Sequence, residues 1–193
     1  LKPGQDKYKI FLSGGDTVFS NKLSFTITSI GFANGIVYRN KAKIDDDIYV
    51  SGNLGDAYLG LLVLQNKIKL NNLLRKYFIN QYFRPNIQLK LTDQIKKIAN
   101  TSIDISDGLL ADLDKLINTQ KLSYKINLEK IPISKNLKKV LNIKRLSKIN
   151  YISNGDDYQV LFTASKSKRK IIKKISANCR IKITNIGSIQ SIA

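Results

Sequence analysis

Asp104 and Asp107 stand on either side of Ser106 in TSIDISDGLLADLDKLI, residues 101–117, where an apolar segment gives way to a helical pattern. The chain has only 14 acidic residues, and they are gathered. Asp45, Asp46 and Asp47 run together, Asp156 and Asp157 follow Gly155, Asp16 sits in LSGGDT at 12–17, and Asp56 opens a helix-like segment. Neighbouring carboxylates repel unless something positive lies between them. A hard divalent cation such as Mg²⁺ meets that need, taking oxygen ligands and sharing them with substrate phosphates. The chemistry these residues suit is therefore the handling of phosphate groups.

Each element has a plain structural reading beside the chemical one. Ser106 reads as a helix N-cap and Asp107 as a first-turn carboxylate favoured by the helix dipole. That accounts for both residues without any ligand. It does not account for Asp104, between Ile103 and Ile105 at a strand end, where a carboxylate is either paired or a ligand. A helix N-terminus would turn its amides to a phosphate while the carboxylates held the metal. Gly14-Gly15-Asp16 is either a tight hairpin turn or a place where backbone meets a phosphate and Asp16 a cation. Asp156 and Asp157 read as turn residues before a strand or as site residues, with Tyr158 in the core. Arg39, among lysines, is a surface residue or a phosphate fork.

The elements that must position these residues follow from periodicity and composition. Strands are expected at 8–13, 23–31, 47–52, 122–128, 158–165 and 180–189, each rich in β-branched and aromatic residues. Helices are expected from about 53 to 65, over 70–80, 91–99 and 106–118, more loosely over 134–143, and in the basic stretch up to about 177. Leu109, Leu110, Leu113, Leu116 and Ile117 give the 106–118 segment the clearest apolar stripe. The class is α+β or α/β. The domain break is expected near 46–52, giving parts 1–47 and 48–193.

The formal charge is +19, from 33 Lys and Arg against 14 Asp and Glu. A charge of that size suggests nucleic acid, yet almost all of it is lysine, with arginine only at 39, 75, 84, 145, 169 and 180. Asn, Ile and Lys are abundant throughout while His, Met and Trp are absent, the mark of a compositional drift and not of a selected patch. Tyrosines and phenylalanines are expected in core positions, which argues against a base-stacking surface. A basic RNA-associated domain remains the alternative from a different class. No run approaches the roughly 18 apolar residues of a membrane span. Cys179 is the single cysteine, which suits a cytoplasmic location.

Five motifs in order resemble the thiamine-monophosphate kinase family of the aminoimidazole ribonucleotide synthetase-related superfamily. They are GGDT at 14–17, R-x-x-A-K-x-x-D at 39–46, YVSGNLGDA at 49–57, IDISDGLLADL at 103–113 and GDDYQVLF at 155–162. The D-x-S-D-G-L string at 104–109 is the specific part, since relatives with other acceptors tend to carry D-x-T-G-x-G there. Another ATP-using member of the superfamily is the enzyme alternative.

The resemblance implies ATP- and Mg²⁺-dependent transfer of a phosphoryl group to thiamine monophosphate. It implies the C-terminal portion of a β-rich, ATP-binding and dimerising N-terminal domain, then an α+β C-terminal domain, in a homodimeric parent. Gly15, Asp16, Arg39 and Ser106 would meet ATP, and Asp16, Asp104 and Asp107 magnesium. Asp104 and Asp107 would carry catalysis, and Asp156 would meet the substrate. Val18-Phe19-Ser20, Asn40-Lys41 and Gln159 depart from the family's usual residues. The family's acidic N-terminal segment and extreme C-terminus have no counterpart here, so the chain is expected to be a fragment that is inactive alone.

Overall fold

The computed structural model describes residues 2–192. In chain order the elements are α1 (Lys2–Tyr8), β1 (Asp47–Ser51), α2 (Asp56–Leu64), α3 (Asn72–Phe83), α4 (Leu89–Ile98) and β2 (Thr101–Ile105). They continue with α5 (Leu109–Ile117), β3 (Leu122–Ile126), α6 (Lys135–Lys144), α7 (Lys148–Ile152), β4 (Gln159–Ala164), α8 (Arg169–Cys179) and β5 (Ile183–Ser191). The chain divides into two units, 1–33 and 34–193.

The first unit holds α1 and an irregular segment. The strands expected at 8–13 and 23–31 do not form: no described residue from 9 to 46 is in a strand. Phe11, Phe19, Phe25, Ile27 and Phe32 lie 84–100% exposed, so the aromatic residues here are not core residues as expected. A strand gains its hydrogen bonds from a neighbour, and here β propensity has no ladder to join.

The second unit is built on a five-stranded sheet of order β2-β4-β1-β5-β3. All four pairings are antiparallel, which decides the class as α+β. β1 alternates in the manner of a central strand covered on both sides. Ile48 and Val50 join Ile105, Leu161 and Ile186 against Leu109, Leu113, Leu116 and Ile117 of α5. Tyr49 joins Phe162 on the other face, against Leu91 and Ile98 of α4 and Ile172 and Ile175 of α8. Each such fully buried side chain contributes roughly 1.5–3 kcal/mol of transfer free energy. A third cluster links α2, α3, α6 and α7 through Leu59, Phe78, Leu137 and Tyr151.

Residues 38–46 form no element but are tied to this unit. Asn40 N–H donates to Leu116 O at 2.8 Å and Thr101 Oγ1 to Tyr38 O at 2.7 Å. Gln120 brackets Ala42, accepting from its amide at 3.0 Å and donating to its carbonyl at 2.8 Å. Buried Asp46 accepts from Asn100 at 2.8 and 3.0 Å and from Thr163 Oγ1 at 2.9 Å. Together these bonds fix the segment carrying Arg39 against α5 and β2.

Candidate functional site

β2 is an edge strand, and its alternation sends Ile105 into the core while Asp104 stays exposed. Register pairs Asp104 with Val160 and Ile105 with Gln159 of β4. The chain leaving β2 and the chain entering β4 are therefore neighbours. Two backbone bonds join them past the strand ends: Asp156 N–H to Ser106 O at 3.0 Å and Tyr158 N–H to Ile105 O at 2.8 Å. Asp156 and Tyr158 hold φ of 67° and 49°, a conformation that bulky residues enter only at an energetic cost. Tyr158 is 42% exposed, not a core residue.

α5 begins three residues later than the sequence pattern suggests, with Gly108 at the N-cap and no side-chain cap. Ser106 and Asp107 lie outside the helix, so the N-cap reading of Ser106 is corrected. The capping work is done from inside. Asp112, fully buried, turns Oδ2 back to accept the amides of Ser106, Asp107 and Gly108 at 2.9, 2.8 and 3.1 Å. A buried carboxylate thus satisfies donors that the start of a helix leaves unpaired. Its Oδ1 accepts from Lys115 Nζ at 3.0 Å, and the same ammonium pairs with exposed Asp107.

An open cleft of about 550 Å³ gathers Arg39, Ser102, Asp104, Ser106, Asp112 and Lys115. The structure thus brings together four of the expected residues, Arg39, Asp104, Ser106 and, through Lys115, Asp107, with Asp156 adjoining through the backbone. Gly15 and Asp16 belong to the first unit, where Asp16 Oδ1 accepts the Thr17 amide at 2.7 Å. Asp112 and Lys115 escaped the sequence reading. Among the described residues no group of three or more acidic, His or Cys side chains could hold a metal ion. Asp104 and Asp107 are both exposed beside this cleft, and Mg²⁺ is commonly bound by one or two carboxylates together with phosphates and water.

Asp157, the second carboxylate of its pair, is structural. Its Oδ2 accepts the Gly55 amide at 2.7 Å, and Oδ1 meets the Ala57 amide at 3.5 Å, at the start of α2. Burial pushes this carboxyl up to about 7, against the pull of those amides. The folded chain therefore binds a proton more readily than the unfolded one. The resulting stability is fully present below the ordinary carboxylate pKa and is lost as pH rises through about 7. Denaturation between pH 5 and 8 should show this contribution falling with a slope approaching about 1.4 kcal/mol per pH unit. Asp157→Asn should flatten the slope; an unchanged profile would contradict the assignment.

No protein-family model matches the chain. Solved structures do. A thiamine-monophosphate kinase from Stenotrophomonas maltophilia K279a superposes with a TM-score of 0.73 at 28% identity, over 81% of this chain and 51% of that one. The structure described as AaThiL complexed with AMPPCP and TMP gives 0.70 at 32% identity, over 81% and 48%. The sheet and its flanking helices are thus those of the aminoimidazole ribonucleotide synthetase-like superfamily. In sequence, the thiamine-monophosphate kinase of Buchnera aphidicola subsp. Schizaphis graminum is 40% identical over 193 residues, covering 96% of this chain and 58% of that protein. Along nearly its whole length the chain is similar to proteins of the thiamine-monophosphate kinase family. It spans a little over half the length of the curated relatives it matches.

Proposed function

We propose that the protein transfers the γ-phosphoryl group of ATP to thiamine monophosphate, giving thiamine diphosphate, with Mg²⁺ required. The observation that carries this reading is the match to relatives named thiamine-monophosphate kinase along 96% of the chain. The related structure whose description names AMPPCP and TMP adds the ligand classes. In this reading residues 1–47 belong to an ATP-binding and dimerising domain and 48–193 to the C-terminal domain, in a cytoplasmic homodimer. Among the described residues no helix is long and apolar enough to cross a membrane.

Phosphoryl transfer of this kind needs placement and charge neutralisation, not a covalent nucleophile. Mg²⁺, held by Asp104 and Asp107, would supply the neutralisation of the phosphate oxygens. Arg39 would add a planar fork of donors on a nucleotide phosphate. Ser106 would bring its hydroxyl to the nucleotide, while Asp156 would orient the thiamine phosphate. The Asp112 carboxylate holds the 106–108 backbone to one course, which sets Asp107 and Ser106 before any ligand arrives.

The test uses protein expressed from the complete reading frame, wild type beside Asp104→Asn. ADP release is followed with Mg²⁺, ATP and thiamine monophosphate, and thiamine diphosphate is confirmed by chromatography. Turnover should need both substrates and fall by roughly two decades or more in the variant, the scale of losing one electrostatic clamp. A folded, ATP-binding wild type that makes no thiamine diphosphate would assign the site to another acceptor.

A further inference from the structure

Lys115 has no role in the motifs above, yet it stands inside the cleft they form. One turn along α5 from Asp112, its ammonium donates to Asp112 Oδ1 at 3.0 Å and also to Asp107 Oδ2. The two partners differ in freedom. The Asp112 side chain is 1% exposed and its other oxygen is held by three amides, whereas the Asp107 side chain is 62% exposed and reaches out of the loop. Lys115 is thus anchored at its Asp112 end and engages Asp107 at a movable one.

We propose that Lys115 is the resident counter-cation of Asp107, holding that carboxylate in place of a divalent ion and giving it up when the ion binds. The inference rests on the reading of Asp107 as a metal ligand. Two cations on one carboxylate oxygen repel each other at short range, so an ion at Asp107 Oδ2 must displace the ammonium. The anchor at Asp112 then keeps the freed lysine within the cleft, where incoming phosphate oxygens would meet it. Without Lys115, Asp107 and Asp112 would lose the ammonium they share, and the unliganded loop would splay. The device adds selectivity: an ion that arrives alone has to displace the ammonium, whereas one that arrives with phosphates gives the ammonium a new partner.

The first test leaves the sequence unchanged. Full-length wild-type protein is acetylated with an N-hydroxysuccinimide ester at constant ionic strength, with increasing Mg²⁺ replacing NaCl, and the modification of each lysine is read by mass spectrometry. Lys115 should become roughly five-fold more reactive on Mg²⁺ binding, the scale of releasing an exposed ion pair, while the surface Lys121 stays constant. In Asp107→Asn, Lys115 should be reactive from the start and insensitive to Mg²⁺. The second test measures Mn²⁺ affinity by calorimetry without nucleotide: Lys115→Gln should bind roughly five-fold tighter and Lys115→Arg like wild type. If divalent ions bind and Asp107→Asn removes the binding, but Lys115 reactivity and the Lys115→Gln affinity do not move, the counter-cation inference falls and the metal reading stands. If no divalent ion binds, both fall.

Discussion

Asp112→Ala is expected to destabilise the second unit by about 3–5 kcal/mol, the range for uncovering several buried partners of one carboxylate. The variant leaves the amides of Ser106, Asp107 and Gly108 without the acceptor that now lies at 2.8–3.1 Å, and leaves Lys115 with Asp107 alone. Asp112→Asn separates shape from charge. Its amide oxygen can still accept the three N–H groups, but its NH₂ would face the Lys115 ammonium, so a smaller loss of about 1–2 kcal/mol is expected. Urea denaturation gives the two losses, and amide hydrogen exchange locates them. Exchange at 106–108 should quicken in Asp112→Ala well beyond the change at β1. Equal losses in the two variants, or unchanged exchange at 106–108, would show that Asp112 does not hold the loop.

How far the sequence disclosed this arrangement depends on what each residue's role needs. The stripe Leu109, Leu113, Leu116, Ile117 was legible because helical periodicity is a local property, and all four are buried. β1 and β4 were legible from their β-branched and aromatic runs, and α3 ends at Phe83, before Arg84-Pro85, as proline dictates. The segments at 8–13 and 23–31 carry equal β propensity and are not strands, because a strand also needs a partner that composition does not reveal. Asp104 was found because a carboxylate between two isoleucines demanded an explanation. Asp112 was hidden by the misplaced helix start: from 106 it looks like a mid-helix surface residue, from 109 like a first-turn acid aimed at three free amides. The usable signal was an aspartate four residues after Gly108, close enough to bend back on it. Gln159 is buried, and its Oε1 accepts from Ser51 Oγ at 2.8 Å and Gln88 Nε2 at 2.9 Å. A neutral amide there avoids burying a charge without a cation beside it.

Gly155→Ala is expected to be the most disruptive single-methyl change near the site. A Cβ built at Gly155 would lie 1.8 Å from Ser106 O and 2.9 Å from Asp107 Cα. Both obstacles are backbone, so no rotamer relieves them, and the two loops must part. Parting them stretches the Asp156–Ser106 and Tyr158–Ile105 bonds that hold Asp156 beside Asp104 and Asp107. The reverse face of the same contact is closed by Gly108, whose φ of +115° and 2.3 Å clearance to Ser153 O exclude a side chain as well. The loss expected for Gly155→Ala is about 2–4 kcal/mol, at the upper end of overpacking because backbone has to move. Gly14→Ala serves as the control: nothing lies within 4 Å of its Cβ position, and the change should stay within about 0.5 kcal/mol. The pair is compared by urea denaturation, with the Asp156 and Tyr158 amides followed by hydrogen exchange. If Gly155→Ala matches Gly14→Ala in stability, the β2 and β4 loops are not pressed together and the cleft cannot owe its shape to that contact. If it unfolds the unit while exchange at Asp156 and Tyr158 rises first, this close approach of two loops sets the distance between Asp107 on one and Asp156 on the other.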